Sequence, residues 1–188
     1  MAKIQFAKIR YVKDPKVAYD SAGVDFFMPQ ELKKEDLKEI FHCDIEYNLF
    51  GEIDSITLHP HGRVTIPSGI MIMGMQRESA LIAFNKSGIA SNRGLIVGAC
   101  VVDYDYRGEI HINLINTGNK NQVIKAGEKL IQFIHVPIFK EVWEEVPESL
   151  IEASKTERGT GGFGSSNGNP LVQNIDPIDK IDIMYGKE

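Results

Sequence analysis

The chain has 188 residues, enough for one domain with a sizeable core and not obviously two. Hydrophobic residues make up 43% and charged residues 25%, the balance of an ordinary globular protein. The net charge of −5 argues against nucleic acid as the main partner, because phosphate binding needs a basic face. No apolar run is long enough to span a bilayer, and the N-terminus MAKIQFAKIRYVK is too polar for a signal peptide, so no membrane partner is expected. Cys43 and Cys100 are too few for a disulfide framework, and a reduced, cytoplasmic setting is the expectation.

Taken in chain order, the segments are strand-rich. Lys3 to Tyr11 (KIQFAKIRY) alternates and reads as a first strand. Gln30 to Cys43 (QELKKEDLKEIFHC) breaks the pattern. It sets Leu32, Leu37, Ile40 and Phe41 near helical spacing, with charges between them, and predicts a short amphipathic helix inserted in a β domain. Such an insertion, at about 30–61, is either a surface ornament or a lid or docking surface for a partner. Arg63 to Met75 reads as two short strands broken at Pro67-Ser68-Gly69, with Met71, Met73 and Met75 as a core stripe. Ser79 to Asn85 is a strand. Residues 94–103 and 109–116 read as a hairpin around Tyr104 to Gly108, with Asp103, Asp105, Arg107 and Glu109 crowding its tip. Lys129 to Pro137 and Lys140 to Val146 close the series, with Phe139 and Trp143 expected to pack the last strand. Many short strands joined by Gly, Pro and Asn turns suggest a barrel, sandwich or jelly roll.

Two stretches look built for anions. Glu157 to Gly168 (ERGTGGFGSSNG) reads most simply as a flexible linker. Yet glycines let successive backbone N–H groups point at one anion, Arg158 supplies a charged fork, and Phe163 offers a face for a base. A triphosphate clamp with a stacking cap is the functional reading; it is not a Walker loop, since GxxxxGK[ST] is absent. Asn85 to Ser91 (NKSGIAS) combines a lysine, a hydroxyl and a bare glycine after a strand, a weak signal by itself. His59 and His61 lack the Cys or carboxylate spacing of a metal site, and Cys100 reads as a small core residue.

Five ordered motifs give these stretches a common context. They are Ala22 to Phe26 (AGVDF), Lys86 to Ala90 (KSGIA), Gly98 to Gly108 (GACVVDYDYRG), Gly127 to Gln132 (GEKLIQ) and Arg158 to Ser166 (RGTGGFGSS), with GRVTIPSGI between the first two. Together they resemble the trimeric dUTPase family, from about residue 3 to residue 168. The resemblance implies an all-β, jelly-roll-like distorted barrel. It implies a homotrimer whose active sites lie between subunits, and a glycine-rich tail (151–168) reaching a neighbour's site. The implied reaction is hydrolysis of dUTP to dUMP and pyrophosphate, limiting uracil in DNA and supplying dUMP for dTMP synthesis.

The resemblance also implies roles. Main chain near Cys100, Val101, Val102 and His111 would read the uracil edge. Cytosine reverses part of that donor and acceptor pattern and would leave buried groups unpaired. Tyr106 would lie under the deoxyribose, and Asp103 would be the general base for water attacking the α-phosphorus. Asp105, Arg107 and Glu109 would hold the turn and subunit contacts. Lys86 and Ser87 would meet phosphates, with Gly88 admitting the backbone, and Gln132 would bond an α-phosphate oxygen or the catalytic water. Arg158 would grip the γ-phosphate, Phe163 would stack on uracil, and Gly164, Ser165 and Ser166 would serve the terminal phosphates. Asp25 would sit near Mg²⁺ through bound water, the ion neutralising and aligning the triphosphate.

Departures from the family pattern are Lys86 and Lys129 in place of arginine, which keep charge but lose the bidentate fork, and Ser166 in place of threonine. The 30–61 segment is longer than the family needs. The 169–188 extension, with Ile175, Ile178, Ile181 and Ile183, is apolar enough to dock on the trimer. A protein partner through the insertion or the extension is the second functional reading. dCTP deaminase is the nearest enzymatic alternative; it uses a glutamate base and lacks the DxDYRG core carried here by Asp103 and Tyr106.

Overall fold

The computed structural model describes residues 3–150. In chain order these form β1 (Gln5–Lys8), β2 (Lys16–Val17), β3 (Val24–Phe27), a 3₁₀ turn (Lys34–Asp36), β4 (Lys38–Tyr47), β5 (Ile53–Gly74), β6 (Ser79–Asn85), helix α1 (Ser87–Arg93), β7 (Leu95–Val97), β8 (Val101–Asp103), β9 (Glu109–Asn116), β10 (Gln122–Lys125), β11 (Lys129–Pro137) and a second 3₁₀ turn (Glu148–Leu150). Chain contacts divide the molecule after Lys140, so the β body ends there.

The strands make two sheets. One has the order β1-β5-β9-β7, with β4 and β10 also pairing β5; the other has the order β2-β3-β11-β6-β8. A single apolar cluster draws on both, from Ile56, Val64, Ile66 and Ile112 of the first to Phe26, Leu81 and Phe133 of the second. β9 shows why its residues form a strand. EIHINLIN alternates strictly, and Ile110, Ile112, Leu114 and Asn116 all point inward. Asn116 is tolerated there because its amide donates to Leu58 O, His59 O and Lys120 O, which satisfies a fully buried polar group.

Five expectations are corrected. The predicted helix over 30–43 is a 3₁₀ turn followed by strand β4. Leu32 and Leu37 do reach the core, but from either side of the turn, while Ile40 and Phe41 stay exposed. Pairing of β4 along β5 overrides the weak helical spacing, because backbone hydrogen bonds to an available neighbour decide the state of a marginal segment. Register shifts at Phe41 and positive φ at Glu39 and His42 make β4 irregular, which suits an edge strand.

The Pro67-Ser68-Gly69 break does not occur either: β5 runs through it for 22 residues. Pro67 still pairs with His111, and the ladder with β9 shifts register directly after it, before Met71, an irregularity of the kind that accommodates proline in a sheet. Of the methionine stripe, Met75 packs against the core but Met73 is exposed.

Residues 140–146 hold no strand, and Phe139 and Trp143 are both exposed rather than packed. Finally, the expected hairpin of 94–103 with 109–116 is split. β7 pairs β9 in the first sheet, whereas β8 pairs β6 in the second. The chain therefore crosses between sheets around Tyr104 to Gly108, and this crossing opens the site described next.

Candidate active site

Because β8 and β9 belong to different sheets, they diverge instead of closing on each other. The gap is a cavity of about 200 Å³ whose lining includes Cys100, Val101, Val102, Asp103, Tyr106 and His111. These are the six residues assigned from the sequence to the nucleoside and the general base. β8 is the last strand of its sheet, so one of its backbone edges has no strand partner among the described residues. An unpaired edge offers alternating N–H and C=O groups, which is what reading the rim of a planar base requires. Phe133 and Ile110 supply an apolar floor.

The turn itself is tightly held. Tyr106 N–H donates to Asp103 O at 3.1 Å. The Arg107 guanidinium donates to Tyr104 O and Tyr106 O, so Arg107 holds its own turn, as the sequence suggests. Tyr106 Oη donates to Glu109 O at 3.0 Å, and His111 Nδ1 donates to the same carbonyl at 2.8 Å. That shared acceptor fixes two cavity walls together. Gly108 lies under the tyrosine ring, where a Cβ would come within 2.5 Å of Cζ. Asp103 is exposed at the cavity mouth and also borders a polar recess with Glu78, Tyr104, Asp105 and Lys140.

The second group gathers at the far end of the same sheet. Asp25 on β3 is 3% exposed, yet carries a carboxylate. Lys86 Nζ binds its Oδ1 at 2.5 Å and Lys129 Nζ its Oδ2 at 3.1 Å. Burial alone would push this carboxyl upward, but the hydrogen bonds and charges of the two lysines outweigh it and hold Asp25 below its ordinary value. The pair leaves a net positive charge beside Ser87 and Gly88, which are exposed at the start of α1. α1 was not foreseen. Gly94 ends it in the left-handed conformation (φ 65), with its N–H on Ala90 O, and that glycine was the available signal.

Gln132 on β11 faces Asp25 across the ladder and donates to Asn85 O at 3.3 Å. Its side chain lies over Gly23, where a Cβ would meet Gln132 Oε1 at 2.9 Å, so the first-motif glycine makes room for the fourth-motif glutamine. In the sequence Lys129 registers only as a substitution; its bond to Asp25 makes it part of this cluster.

The two groups are not brought together within one chain. Asp103 pairs with Ala80 and Gln132 with Phe84 on β6, and Lys86 follows that strand's end. Six residues at about 3.3 Å each separate Ala80 from Lys86, so Asp103 lies on the order of 20 Å from the lysine cluster. Arg158, Phe163, Gly164, Ser165 and Ser166, and the 169–188 extension, lie outside the described residues. Among the described residues, no group of three or more His, Cys, Asp or Glu could hold a metal ion. His59 is instead bonded to Asp44 and Asn121.

The fold is mostly β with one short helix, and it sets an edge-strand cavity bearing an aspartate apart from a cluster of two lysines on a buried aspartate. The dUTPase family model matches residues 49–167, more than half of the chain, and the chain belongs to that family. The AGVDF motif and β4 precede the matched range. The deoxyuridine 5'-triphosphate nucleotidohydrolase of Maricaulis maris is 45% identical over 118 residues, covering 60% of this chain and 72% of that protein. The enzyme of the same name from Wolbachia sp. subsp. Brugia malayi is 37% identical over 115 residues, covering 60% of this chain and 72% of the relative. Among solved structures, a mutant dUTPase of Staphylococcus bacteriophage 80alpha with dUpNHpp superposes with a TM-score of 0.64 at 19% identity, covering 87% of this chain and 98% of that one. At that identity the likeness speaks to the fold.

Proposed function

We propose that this dUTPase-family chain is a dUTP diphosphatase, hydrolysing dUTP to dUMP and pyrophosphate, with each active site assembled from more than one copy in a homotrimer. The observation that carries the reading is the pairing of two incomplete half-sites: a base-sized cavity ending in Asp103, and a cationic cluster on the order of 20 Å away at the opposite end of the sheet. A nucleoside triphosphate needs both, and a second copy supplies the missing half.

In this reading the free edge of β8, at Cys100 to Val102, hydrogen-bonds the uracil rim, with His111 alongside. The Tyr106 ring packs against the deoxyribose. Asp103 accepts the proton of the attacking water and orients it in line with the α-phosphorus and the departing pyrophosphate. Lys86, Ser87 and Gly88 bind phosphate oxygens, and Gln132 donates to an α-phosphate oxygen or the water. Arg158, Phe163, Gly164, Ser165 and Ser166 complete the site from the tail. Mg²⁺ would be carried mainly by the triphosphate, since it favours phosphate oxygens and retains waters; Asp25, whose two oxygens are held by Lys86 and Lys129, would meet it through water only once those lysines turn to the phosphates. When bound, the ion supplies charge neutralisation.

The test is pyrophosphate release from dUTP, dCTP, dTTP and UTP with Mg²⁺, alongside Asp103→Asn. Release from dUTP alone, lost in the variant, supports the reading; equal release from dCTP or UTP overturns the substrate assignment. A protein-docking role for the inserted β4–β5 arm is favoured by one observation. Asn48 caps the tip through Phe50 N–H and Glu52 N–H, and so presents Leu49 and Phe50 fully to solvent.

A further inference from the structure

The cavity is fastened to the rest of the body at Glu109, and the two side chains that make the central pair, Arg10 and Glu109, lie outside the five motifs. Glu109 opens β9, directly after the crossing turn, and its side chain is 11% exposed. Arg10, two residues past β1, grips it with both arms of its fork: Nε donates to Oε1 at 2.8 Å and Nη2 to Oε2 at 3.2 Å. Gly69 N–H donates to the same Oε1 at 2.7 Å. Gly69 also keeps its place open for Arg10, since a Cβ there would lie 3.0 Å from that of Arg10. The remaining arm, Nη1, donates to Asp36 Oδ1 at 3.0 Å. Asp36 belongs to the 3₁₀ turn of the inserted segment, and its other oxygen accepts Lys33 N–H at 2.8 Å.

The carbonyl of Glu109 is the group that holds both Tyr106 Oη and His111 Nδ1. Its position depends on where the Glu109 side chain is pinned. A bidentate arginine–carboxylate pair fixes two atoms at once and so fixes an orientation as well as a distance. The chain of contacts thus runs from the insertion (Asp36) through the N-terminal segment (Arg10) to the root of the nucleoside cavity (Glu109), and from there to two of its walls.

We propose that Arg10 and Glu109 are positioning residues for the nucleoside pocket, and that the insertion adjusts the pocket through Asp36. None of the three touches the reacting atoms. Their effect falls on the placement of Tyr106 and His111, and hence on nucleoside affinity and sugar discrimination. The inference rests on the dUTP diphosphatase reading, and the experiment separates the two: an inactive wild-type protein defeats that reading, whereas an active wild type with indifferent variants defeats only this one.

The experiment compares full-length Arg10→Lys, Arg10→Gln, Glu109→Gln and Asp36→Asn with wild type. It measures kcat, KM for dUTP, the dUTP:UTP ratio of kcat/KM, and melting temperature, all well below each variant's melting point. Arg10→Gln and Glu109→Gln are expected to raise KM about tenfold with kcat within about twofold, since Asp103 is untouched. Arg10→Lys keeps the charge but loses the fork and falls between, and Asp36→Asn gives about a two- to threefold rise. In Arg10→Gln combined with Tyr106→Phe, the KM effects are less than additive, because both act through the Glu109 carbonyl. A lowered melting temperature with KM and UTP discrimination unchanged overturns the inference and leaves the cluster a stability element. If Arg10→Gln does not fold, unchanged KM in Arg10→Lys and Asp36→Asn overturns it equally.

Discussion

Gly108→Ala isolates the contribution of the tyrosine wall. An added Cβ would sit 2.5 Å from Tyr106 Cζ and 3.0 Å from Cε2, inside the distance that real Cβ atoms keep. The obstacle is the end of a side chain that is 43% exposed, so the ring swings out rather than the backbone yielding. Doing so breaks the 3.0 Å bond from Tyr106 Oη to Glu109 O, a loss of about 1 kcal/mol. For a body of this size that lowers the melting temperature by roughly 3 °C. The functional cost is larger. Removing one wall of a cavity of about 200 Å³ forfeits the packing against the sugar. A loss of about 1.4 kcal/mol of binding corresponds to a tenfold rise in KM for dUTP. Discrimination against UTP falls with it, because space for a 2′-hydroxyl is created where the ring had been. Pyrophosphate release with dUTP and UTP, together with a thermal melt, reads all three quantities. Tyr106→Phe, which keeps the ring and loses only the hydroxyl, is expected to show a smaller KM change. An unchanged KM and UTP ratio in Gly108→Ala would refute the assignment of Tyr106 to the sugar. A collapse in melting temperature far beyond a few degrees would refute the premise that the ring, not the backbone, gives way.

Other expectations follow from the same geometry. Co-expressed Asp103→Asn and Gln132→Ala chains, each inactive alone, should regain about a quarter of wild-type activity if each site draws these residues from two copies, as random assortment in a closed oligomer dictates; no recovery on co-purification rejects the shared site. Asp25→Asn leaves Lys86 and Lys129 uncompensated and is expected to cost about 2 kcal/mol, read by urea denaturation, the lysines' partial exposure keeping it below the usual range for a fully buried pair. Because the folded-state carboxyl of Asp25 is held low, its contribution is present above about pH 4 and lost as pH falls further, so the variant's stability should vary less with pH in acid than wild type's. His59 is raised by its hydrogen bond to Asn121 and by Asp44, so the link tying β4 to β5 is fully formed below the unfolded value of 6.5 and fades as pH rises through the folded one. Hydrogen exchange of β4 amides should quicken over that rise relative to β9 amides, and His59→Gln should abolish the difference.

Much of the candidate site is legible in the sequence. Strict period-two alternation marks β9, and the short, largely apolar runs SALIAFN and KLIQFIHVP match β6 and β11 in both bounds. The six cavity residues are contiguous or nearly so, and a motif carried on one local turn survives reading in one dimension. What failed was whatever depended on a partner strand. Leu32, Leu37, Ile40 and Phe41 suit a helix until β5 offers an edge; Pro67 looks like a break until a register shift absorbs it.

The sequence by itself determined which side chains carry charge, which segments alternate and, through its ordered motifs, the family. Tertiary structure decided their meeting. Only the separation of β8 and β9 into different sheets makes a cavity of the presumed hairpin, because a strand's free edge exists only relative to its neighbours. Only the ladder places Asp25, Lys86, Lys129 and Gln132 together, from three separate stretches of chain. The same ladder holds them about six strand residues from Asp103, because the length of β6 separates the two ends. The pinning of Glu109 by Arg10, 99 residues away, has no sequence signature at all, since a guanidinium finds its carboxylate through the packing of whole sheets.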